Sequence, residues 1–460
     1  MTEYVTEQNQ NALNADYNAK MTLKYAGKIK DGNLQIGNWL SADPEVTNLR
    51  FLEKFDIQTL KLHIRNDMCV QLRSSLLKEL SIFNIREYDQ DEKQKQRLNM
   101  QVDDLELENL EVLILENNNL VNDQLYNLTK FKKLNTLNVS WNKVDLTHIH
   151  MVISLTKLSM VSCGLKNIDL ISSLVNLQEL NLSGNTSIDL SPLYKIDSLT
   201  KLSLNNCYLK NIGQIVQLTN LDVLNIASNI LQTIDSIRLL VNLKELNISQ
   251  NKQIDISPLK DLVGLIILNM RSCALTQLSA LKHLINLQTL NLYNNPNINI
   301  SELQYLKNLT HLNLADCYLV SIYVLRPLMN LEELNVKTNN IVYLDADLNQ
   351  MTKLENLIAE RNRIRDFSSL EKHPNYNIIN ENGSNQEDPS QAELYLANKF
   401  RKIELPNIQL KLIPHKALKT ALKNYKQDIN ATISNARQSQ IQFTANVVRL
   451  FQLLNQFGFE

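Results

Sequence analysis

The sequence predicts an α/β solenoid, in which stacked short units form a parallel β-sheet on a concave face and short 3-10 or α-helical turns on a convex face. Three observations support this fold class. A motif of the form LxxLxLxx[NC] recurs along most of the chain. Within it, leucines alternate with polar residues as in a β-strand, for example in Leu180-Asn181-Leu182. Apolar residues spaced by three follow, for example Ile234 and Ile237, as in a 3-10 turn or a short helix.

Composition and charge limit the classes of function. The 460 residues include 47 Lys plus Arg and 48 Asp plus Glu, a net charge of -1, which disfavours a general nucleic-acid binder. Hydrophobic residues make up 44% of the chain, enough to fill a large core. Only 9 glycines occur, and neither GxGxxG nor GxxxxGK[ST] is present, so the sequence does not predict a nucleotide-dependent enzyme.

The N-terminal sequence and the cysteines favour a cytoplasmic protein. The first twenty residues contain no apolar stretch typical of a secretory signal, and no window is apolar enough for a transmembrane segment. No two cysteines have CxxC spacing, and their odd number leaves one unpaired in any full disulfide scheme, so free thiols are expected. The five are Cys69, Cys163, Cys207, Cys273 and Cys317.

The chain is predicted to begin with a cap segment at residues 1–45, followed by degenerate leading repeats at residues 46–108. Ile57-x-x-Leu60 and Leu77-x-x-Leu80 keep the opening apolar residues of the motif but lack the later Asn or Cys. Terminal repeats are commonly atypical because they cover the end of the stack. Cys69 lies in this region, and the motif assigns it no role.

Residues 109–372 are predicted to form the regular repeats. Leucines open nine units from Leu155 to Leu331, and the difference of 176 residues is 8 times 22, so the period is constant. One unit alone cannot cover its inner leucines, so the stability of the array must come from stacking. Flanking units open at Leu110, Leu134 and Leu354.

These repeats resemble the leucine-rich repeat family. The 22-residue units are similar to the subclass found in the regulatory subunit of protein phosphatase 1 and, through the sequence from Asp255 to Leu259, to that of bacterial internalins. The abundance of Asn, Ile and Lys is similar to that of cytosolic leucine-rich repeat proteins of unicellular eukaryotes. The resemblance implies a curved horseshoe that binds other proteins and has no catalytic activity of its own.

The ninth position of each unit, counted from its opening leucine, holds either Asn or Cys. An Asn at this position is expected to point inward and to satisfy backbone groups where the chain leaves the strand. The four cysteines of these units are interpreted as structural thiols, because no two adjacent units carry one, as a metal or redox site would require. His148 and His150 alternate as metal ligands can, but they are interpreted as surface histidines. The sequence predicts no catalytic residues, no metal site and no cofactor.

Function in such a solenoid is expected at the exposed sheet positions 3, 5, 7 and 8 of each unit. Position 5 is almost uniformly Asn, which we interpret as stacked amides that bond to each other. Positions 7 and 8 vary more, and an aromatic residue beside an Arg is typical of an interface hot spot, although a solvated face with ion pairs is the alternative. The predicted protein-binding residues are Trp141, Arg271, Tyr293, His311, Asp316, Lys337, Glu360 and Arg361.

After the repeats, a polar connector is predicted at residues 373–391 and amphipathic helices at residues 392–460. Leu418 and Leu422 share one helical face, and Lys416 and Lys419 begin a basic stripe on another. Three roles stay open for these helices. They cap the last repeat, or they self-associate or bind a partner helix, or their basic stripe contacts an anionic membrane or nucleic acid.

The leading functional hypothesis is an intracellular, non-enzymatic scaffold that binds a protein partner on the concave sheet, without identifying that partner. The alternative is an adaptor in an RNA-associated complex that uses the basic C-terminal helix. An enzyme whose repeats recruit substrate is disfavoured, because residues 392–460 contain no Cys that would supply a thiol nucleophile.

Overall fold

A parallel β-sheet of 15 strands runs through the part of the chain that the computed structural model describes, namely residues 33–36, 56–64, 70, 72–84, 98, 100–344, 348 and 350–364. The sheet follows chain order, except that β3 and β5 form a separate two-stranded sheet. The strands are β1 (Asn33–Ile36), β2 (Thr59–Ile64), β3 (Leu72–Ser74), β4 (Glu79–Asn84), β5 (Leu105–Leu107), β6 (Val112–Ile114), β7 (Thr136–Asn138), β8 (Lys157–Ser159), β9 (Glu179–Asn181), β10 (Lys201–Ser203), β11 (Val223–Asn225), β12 (Glu245–Asn247), β13 (Ile267–Asn269), β14 (Thr289–Asn291), β15 (His311–Asn313), β16 (Glu333–Asn335) and β17 (Asn356–Ile358).

The constant repeat length sets the register of the sheet. Leu224 is aligned with Leu246, and Leu246 with Leu268, so residues at equal positions of successive units lie side by side. Each strand of the regular repeats covers positions 3 to 5, and the apolar residues at positions 1, 4 and 6 turn inward; Leu246, for example, is 1% exposed. One continuous row of buried apolar side chains therefore runs from Leu34 to Ile364.

Short 3-10 helices connect most strands of the regular repeats on the side away from the sheet. The spacing by three buries one side chain per turn, such as Ile237. The 3-10 helices of the described residues are Val102–Asp104, Asn122–Leu125, Leu128–Lys130, Asp169–Ser173, Ser191–Lys195, Gly213–Ile215, Asp235–Leu239, Ser257–Asp261, Leu281–His283, Ser301–Tyr305 and Tyr323–Leu325. None of them has the length or apolarity needed to cross a lipid bilayer.

The strands and the 3-10 turns confirm the predicted solenoid. In the leading repeats, β2 and β4 pair over six residues, from Thr59 opposite Glu79 to Ile64 opposite Asn84. The predicted connector at residues 373–391, the predicted helices at residues 392–460 and Cys69 lie outside the described residues. The division of the chain into those segments therefore stays a prediction.

Candidate binding surface on the concave sheet

A buried row of position-9 side chains, here called the ladder, fixes the backbone where each unit leaves the sheet. The side chain of Asn295 shows its chemistry: Oδ1 accepts from the backbone N–H groups of Cys273 (3.2 Å) and Leu275 (3.0 Å), and Nδ2 donates to the carbonyls of Met270 (2.9 Å) and Leu292 (2.8 Å). The expected inward role of these asparagines is confirmed. The ladder consists of Asn118, Asn142, Cys163, Asn185, Cys207, Asn229, Asn251, Cys273, Asn295, Cys317, Asn339 and Asn362.

The ladder cysteines are protonated structural thiols. The Sγ atom of Cys273 lies 3.3 Å from the carbonyl oxygen of Ile248, and that of Cys317 lies 3.2 Å from the carbonyl oxygen of Leu292. Burial raises the pKa of the Cys273 and Cys317 thiols to about 11, which keeps the nucleophilic thiolate form rare at neutral pH. No group of three or more potential metal ligands converges among the described residues.

Where the preceding unit has 22 residues, the choice of Asn or Cys also determines the backbone at its position 11; the 21-residue unit before Cys163 has no left-handed residue there, at Val144. Where the next unit carries Asn, the position-11 N–H donates to its amide, as Leu165 does to Asn185 Oδ1 (3.0 Å). A thiol cannot accept in this way, and before Cys273 the backbone of Gln253 turns to a left-handed φ of 61°, so that its N–H donates to the Cys273 carbonyl (2.9 Å). Ser187 before Cys207 and Asn297 before Cys317 do the same. Sequence reasoning missed this coupling, although polar residues at position 11 signal it.

The position-5 asparagines do not bond to each other, so the interpretation of stacked amides is wrong. Instead, Oδ1 of each accepts the N–H of position 7 in its own unit, as Asn269 does from Arg271 (3.1 Å) and Asn291 from Tyr293 (3.0 Å). This bond fixes the orientation of the amide and leaves Nδ2 as a donor at the sheet surface. The asparagines bound in this way are Asn138, Asn181, Asn225, Asn247, Asn269, Asn291, Asn313 and Asn335.

Position 8 takes a left-handed backbone in every regular unit. The φ values of Trp141, Asp316 and Arg361 are 60°, 56° and 53°. This conformation lets the N–H of position 8 donate to the position-7 carbonyl of the next unit, as Trp141 does to Val161 (2.7 Å). Bulky residues rarely adopt this backbone conformation, but Trp141 does. Its side chain is not buried in return, since 55% of its surface is exposed.

Two contacts form among the predicted protein-binding residues of the C-terminal half. The Arg271 guanidinium lies over the Tyr293 ring, 4.7 Å from its centroid, and Lys337 forms an ion pair with Glu360. His311 stands at position 3, where its Nδ1 lies 2.9 Å from Thr310 Oγ1. The remaining predicted residues, Asp316, Arg361 and Trp141, occupy position 8, and Trp141 lies six units before Arg271.

The N-terminal half of the face neutralises its charges internally. Glu179 pairs with Lys157 (3.2 Å) and Lys201 (3.1 Å), its neighbours in register on both sides. Desolvation alone would raise the pKa of Glu179, but the hydrogen bonds and charges of the two lysines outweigh it and lower the pKa below its usual value. At the carboxyl ends of β6 and β7, Asn138 Nδ2 donates to Glu116 Oε2 (3.1 Å).

The histidine pair does not form a site. His150 places Nδ1 2.9 Å from the Leu146 carbonyl oxygen, whereas the ring of His148 packs edge-on against Tyr126 at 5.7 Å. An open groove near Asp145 is also lined by Lys143, Lys166 and Asp169. Desolvation raises the pKa of Asp145, but hydrogen bonds from Thr147 and Asn122 have the larger combined effect and lower it.

Comparisons with known proteins agree with this geometry. The family model "Leucine Rich repeats (2 copies)" matches residues 153–195. An internalin of Listeria monocytogenes is 21% identical, with 71% of this chain and 87% of that chain covered and a TM-score of 0.51. A leucine-rich repeat protein of Leptospira interrogans is 24% identical, with coverages of 73% and 92% and a TM-score of 0.52. No curated protein matches the sequence significantly. The chain thus carries leucine-rich repeats and folds as a leucine-rich repeat solenoid.

Proposed function

We propose that the protein is a cytoplasmic, non-enzymatic scaffold that binds a protein partner on the concave face of its sheet. The observation that carries this proposal is a sheet whose strands pair in register beneath exposed columns of side chains, among them Trp141, Arg271 and His311. Strands held in register fix the backbone under these columns, so a partner meets side chains that are already ordered, which lowers the entropic cost of binding.

The composition of the exposed columns also supports protein binding. Trp141 and Tyr293 supply aromatic surface, and Arg271 supplies a planar cation, which are the residue types enriched at the centre of protein interfaces. The charges at positions 3 and 7 are of both signs, unlike the continuous basic surface that nucleic-acid binding requires.

Site-specific photo-cross-linking tests which face is used. A photoreactive amino acid replaces Asn205 at position 7 on the concave face, and a matched variant carries it at the exposed Gln217 beyond the 3-10 turn Gly213–Ile215. After irradiation in cells, we expect a discrete cross-linked protein with the first variant only. Cross-links from Gln217 alone, or none from either position, would contradict the proposal.

A second comparison tests the predicted residues. The Arg271→Ala, Tyr293→Ala double variant removes the stacked pair without touching the buried core. We expect it to recover less of the cross-linked protein than the wild type does. Equal recovery would remove this pair from the binding surface while leaving the use of the concave face intact.

The alternative, an RNA-associated adaptor, depends on the basic stripe at residues 392–460, which lies outside the described residues. Retention of the full chain on heparin that disappears when residues 392–460 are removed would favour it. No retention at low salt would dismiss it, because phosphate contacts are strongest there.

A further inference from the structure

The concave face shows how its own amides bind a carboxylate. At the first regular units, Asn138 Nδ2 donates to Glu116 Oε2 at 3.1 Å, across from position 5 of one unit to position 7 of the unit before. The backbone bond from the Ser140 N–H to Asn138 Oδ1 (3.0 Å) fixes which end of the amide faces the carboxylate. A carboxylate at this point of the surface can therefore accept a hydrogen bond from Nδ2 of a position-5 asparagine.

Seven units later, the same two positions hold donors and no carboxylate. Arg271 occupies position 7 in place of Glu116, and Asn291 stands to it in register as Asn138 stands to Glu116. The Tyr293 N–H donates to Asn291 Oδ1 and so orients the amide. Its Nδ2 is free of a hydrogen bond among the described residues.

Arg271 also has no acidic partner within the described part of the chain. The lysines of this face are paired instead: Lys157 and Lys201 share Glu179, and Lys337 pairs with Glu360. Arg361 at position 8, by contrast, resembles Arg271 in having no ion pair among the described residues. Positions 7 and 8 around Arg271 hold only neutral polar side chains and its aromatic neighbour: Ser249, Gln250, Ser272, Tyr293 and Asn294. A single cation stands here among donors and hydroxyls, with no internal negative charge to balance it.

Tyr293 orders the guanidinium for binding. The ring holds Arg271 at 4.7 Å, which restricts a side chain that otherwise loses much rotamer freedom on binding. When a guanidinium stacks on a ring, its N–H groups point outward in the plane of the guanidinium. Two of them can then donate to the two oxygens of one carboxylate. A phosphate, with nearly two charges, is typically bound by a cluster of cations, and here there is only one.

We infer that Arg271, stacked on Tyr293 and assisted by the amide of Asn291, is the receptor for a carboxylate of an acidic peptide segment in the protein partner. This inference rests on the proposed function, since it assumes that a partner occupies the concave face, and it adds the chemistry that the partner must present there.

Selection from a phage-displayed library of random linear peptides tests the inference on the full chain. We expect the peptides retained by the wild type to be enriched in Asp or Glu, and the enrichment to be lost with Arg271→Gln. Selected peptides are then synthesised and their affinities measured by fluorescence anisotropy. Arg271→Gln should weaken binding about tenfold or more, the effect of losing one charge-assisted bidentate pair.

The chain offers a matched control in Arg326, which also lies over a tyrosine, Tyr323, at 4.2 Å, but beside the 3-10 helix Tyr323–Leu325 instead of on the sheet. Arg326→Gln should select and bind the same peptides as the wild type. Replacing the peptide's Glu by Gln, or its Asp by Asn, should weaken binding to the wild type and have no further effect on Arg271→Gln. A peptide with an amidated C-terminus separates a side-chain carboxylate from a terminal one.

Several outcomes would overturn the inference. They are the absence of acidic enrichment, equal binding by wild type and Arg271→Gln, or an equal loss with Arg326→Gln. The cross-linking result at Asn205 is independent of all three. A cross-linked partner together with any of these outcomes would leave the concave face in use and remove only the carboxylate receptor.

Discussion

The ladder and the exposed columns of the concave face use the same side chain, asparagine, in two ways. In the ladder, Asn295 is fully buried and all four of its hydrogen bonds go to backbone groups of its own and the preceding unit. On the concave face, Asn291 makes one hydrogen bond within its own unit, through Oδ1, and its Nδ2 lies at the surface. The difference separates positions that hold the solenoid together from positions that remain available to a partner.

The largest expected effect is the loss of a ladder asparagine. Asn295→Ala leaves two buried N–H groups and the Met270 carbonyl without a partner, while the Leu292 carbonyl keeps only the weak donor Cys317 Sγ. At about 1 kcal/mol or more for each of the first three, we expect a loss of about 3 kcal/mol in the free energy of unfolding. Guanidinium unfolding followed by circular dichroism measures it. Asn291→Ala, which removes one bond at the surface, is the control and should cost about 1 kcal/mol. Equal losses would erase the distinction between ladder and face.

A smaller effect is expected from the ladder thiols at high pH. The pKa of Cys273 is raised from its ordinary value of 9.0 to about 11, so folding favours the neutral thiol. The contribution of Cys273 to stability is therefore fully present below pH 9 and is lost as the pH rises towards 11. At pH 10 the fold should have lost about 1.4 kcal/mol per such thiol.

Comparison with Cys273→Ala isolates this titration from that of tyrosines and lysines. Between pH 7 and pH 10 the wild type should lose about 1.4 kcal/mol more than the variant does. If both proteins lose the same free energy of unfolding, the pKa of Cys273 is not raised in the folded state. Burial would then not protect this thiol from deprotonation.

The period of 22 residues was enough to predict the rows of leucine and the parallel sheet, because a constant repeat length places equal positions side by side. The left-handed backbone at position 8 was not predictable, since residues as different as Trp141 and Asp316 occupy it and only tertiary hydrogen bonds require it. The position-11 turn at Gln253 likewise depends on a cysteine twenty residues later in the chain.

The candidate surface was predicted in part. Counting positions was sufficient to place Arg271 and Tyr293 on the same face, and the structure adds that the guanidinium stacks on the ring. The interpretation of position 5 failed because composition alone does not say which backbone donor an amide oxygen takes. A bond within the unit, from Arg271 N–H to Asn269 Oδ1, competes with bonds between units and occupies the oxygen.

On the face itself, breaking an ion pair should change stability little. Glu179→Gln removes the partner of Lys157 and Lys201, and exposed pairs contribute at most about 1 kcal/mol. Because the pKa of Glu179 is lowered in the fold, its contribution is present above its ordinary pKa and is lost as the pH falls through the lowered value. Unfolding at pH 7 and at acidic pH measures this dependence.

The matched control for Glu179 is Glu245, which occupies the same position 3 between Val223 and Ile267 and has no ion pair among the described residues. Glu245→Gln should leave the free energy of unfolding unchanged at both pH values. If it destabilises the protein as much as Glu179→Gln does, the charge of the whole face matters and the individual pairs do not.

A small effect on stability and a larger one on binding are expected at Trp141, at position 8 of the concave face. Glycine adopts the left-handed φ of 60° without strain, but it also gains freedom in the unfolded chain, so the two effects of Trp141→Gly oppose each other and should cancel to within about 1 kcal/mol. Recovery of the partner cross-linked from Asn205 should nevertheless fall about tenfold if the exposed indole is an interface anchor. Ser162→Gly makes the same backbone change at position 8 of the next unit, where φ is 51°, and should leave recovery unchanged. A fall with both variants would assign the effect to the backbone, whereas a fall with Trp141→Gly alone assigns it to the indole and shows that this side chain contributes to binding without contributing to the fold.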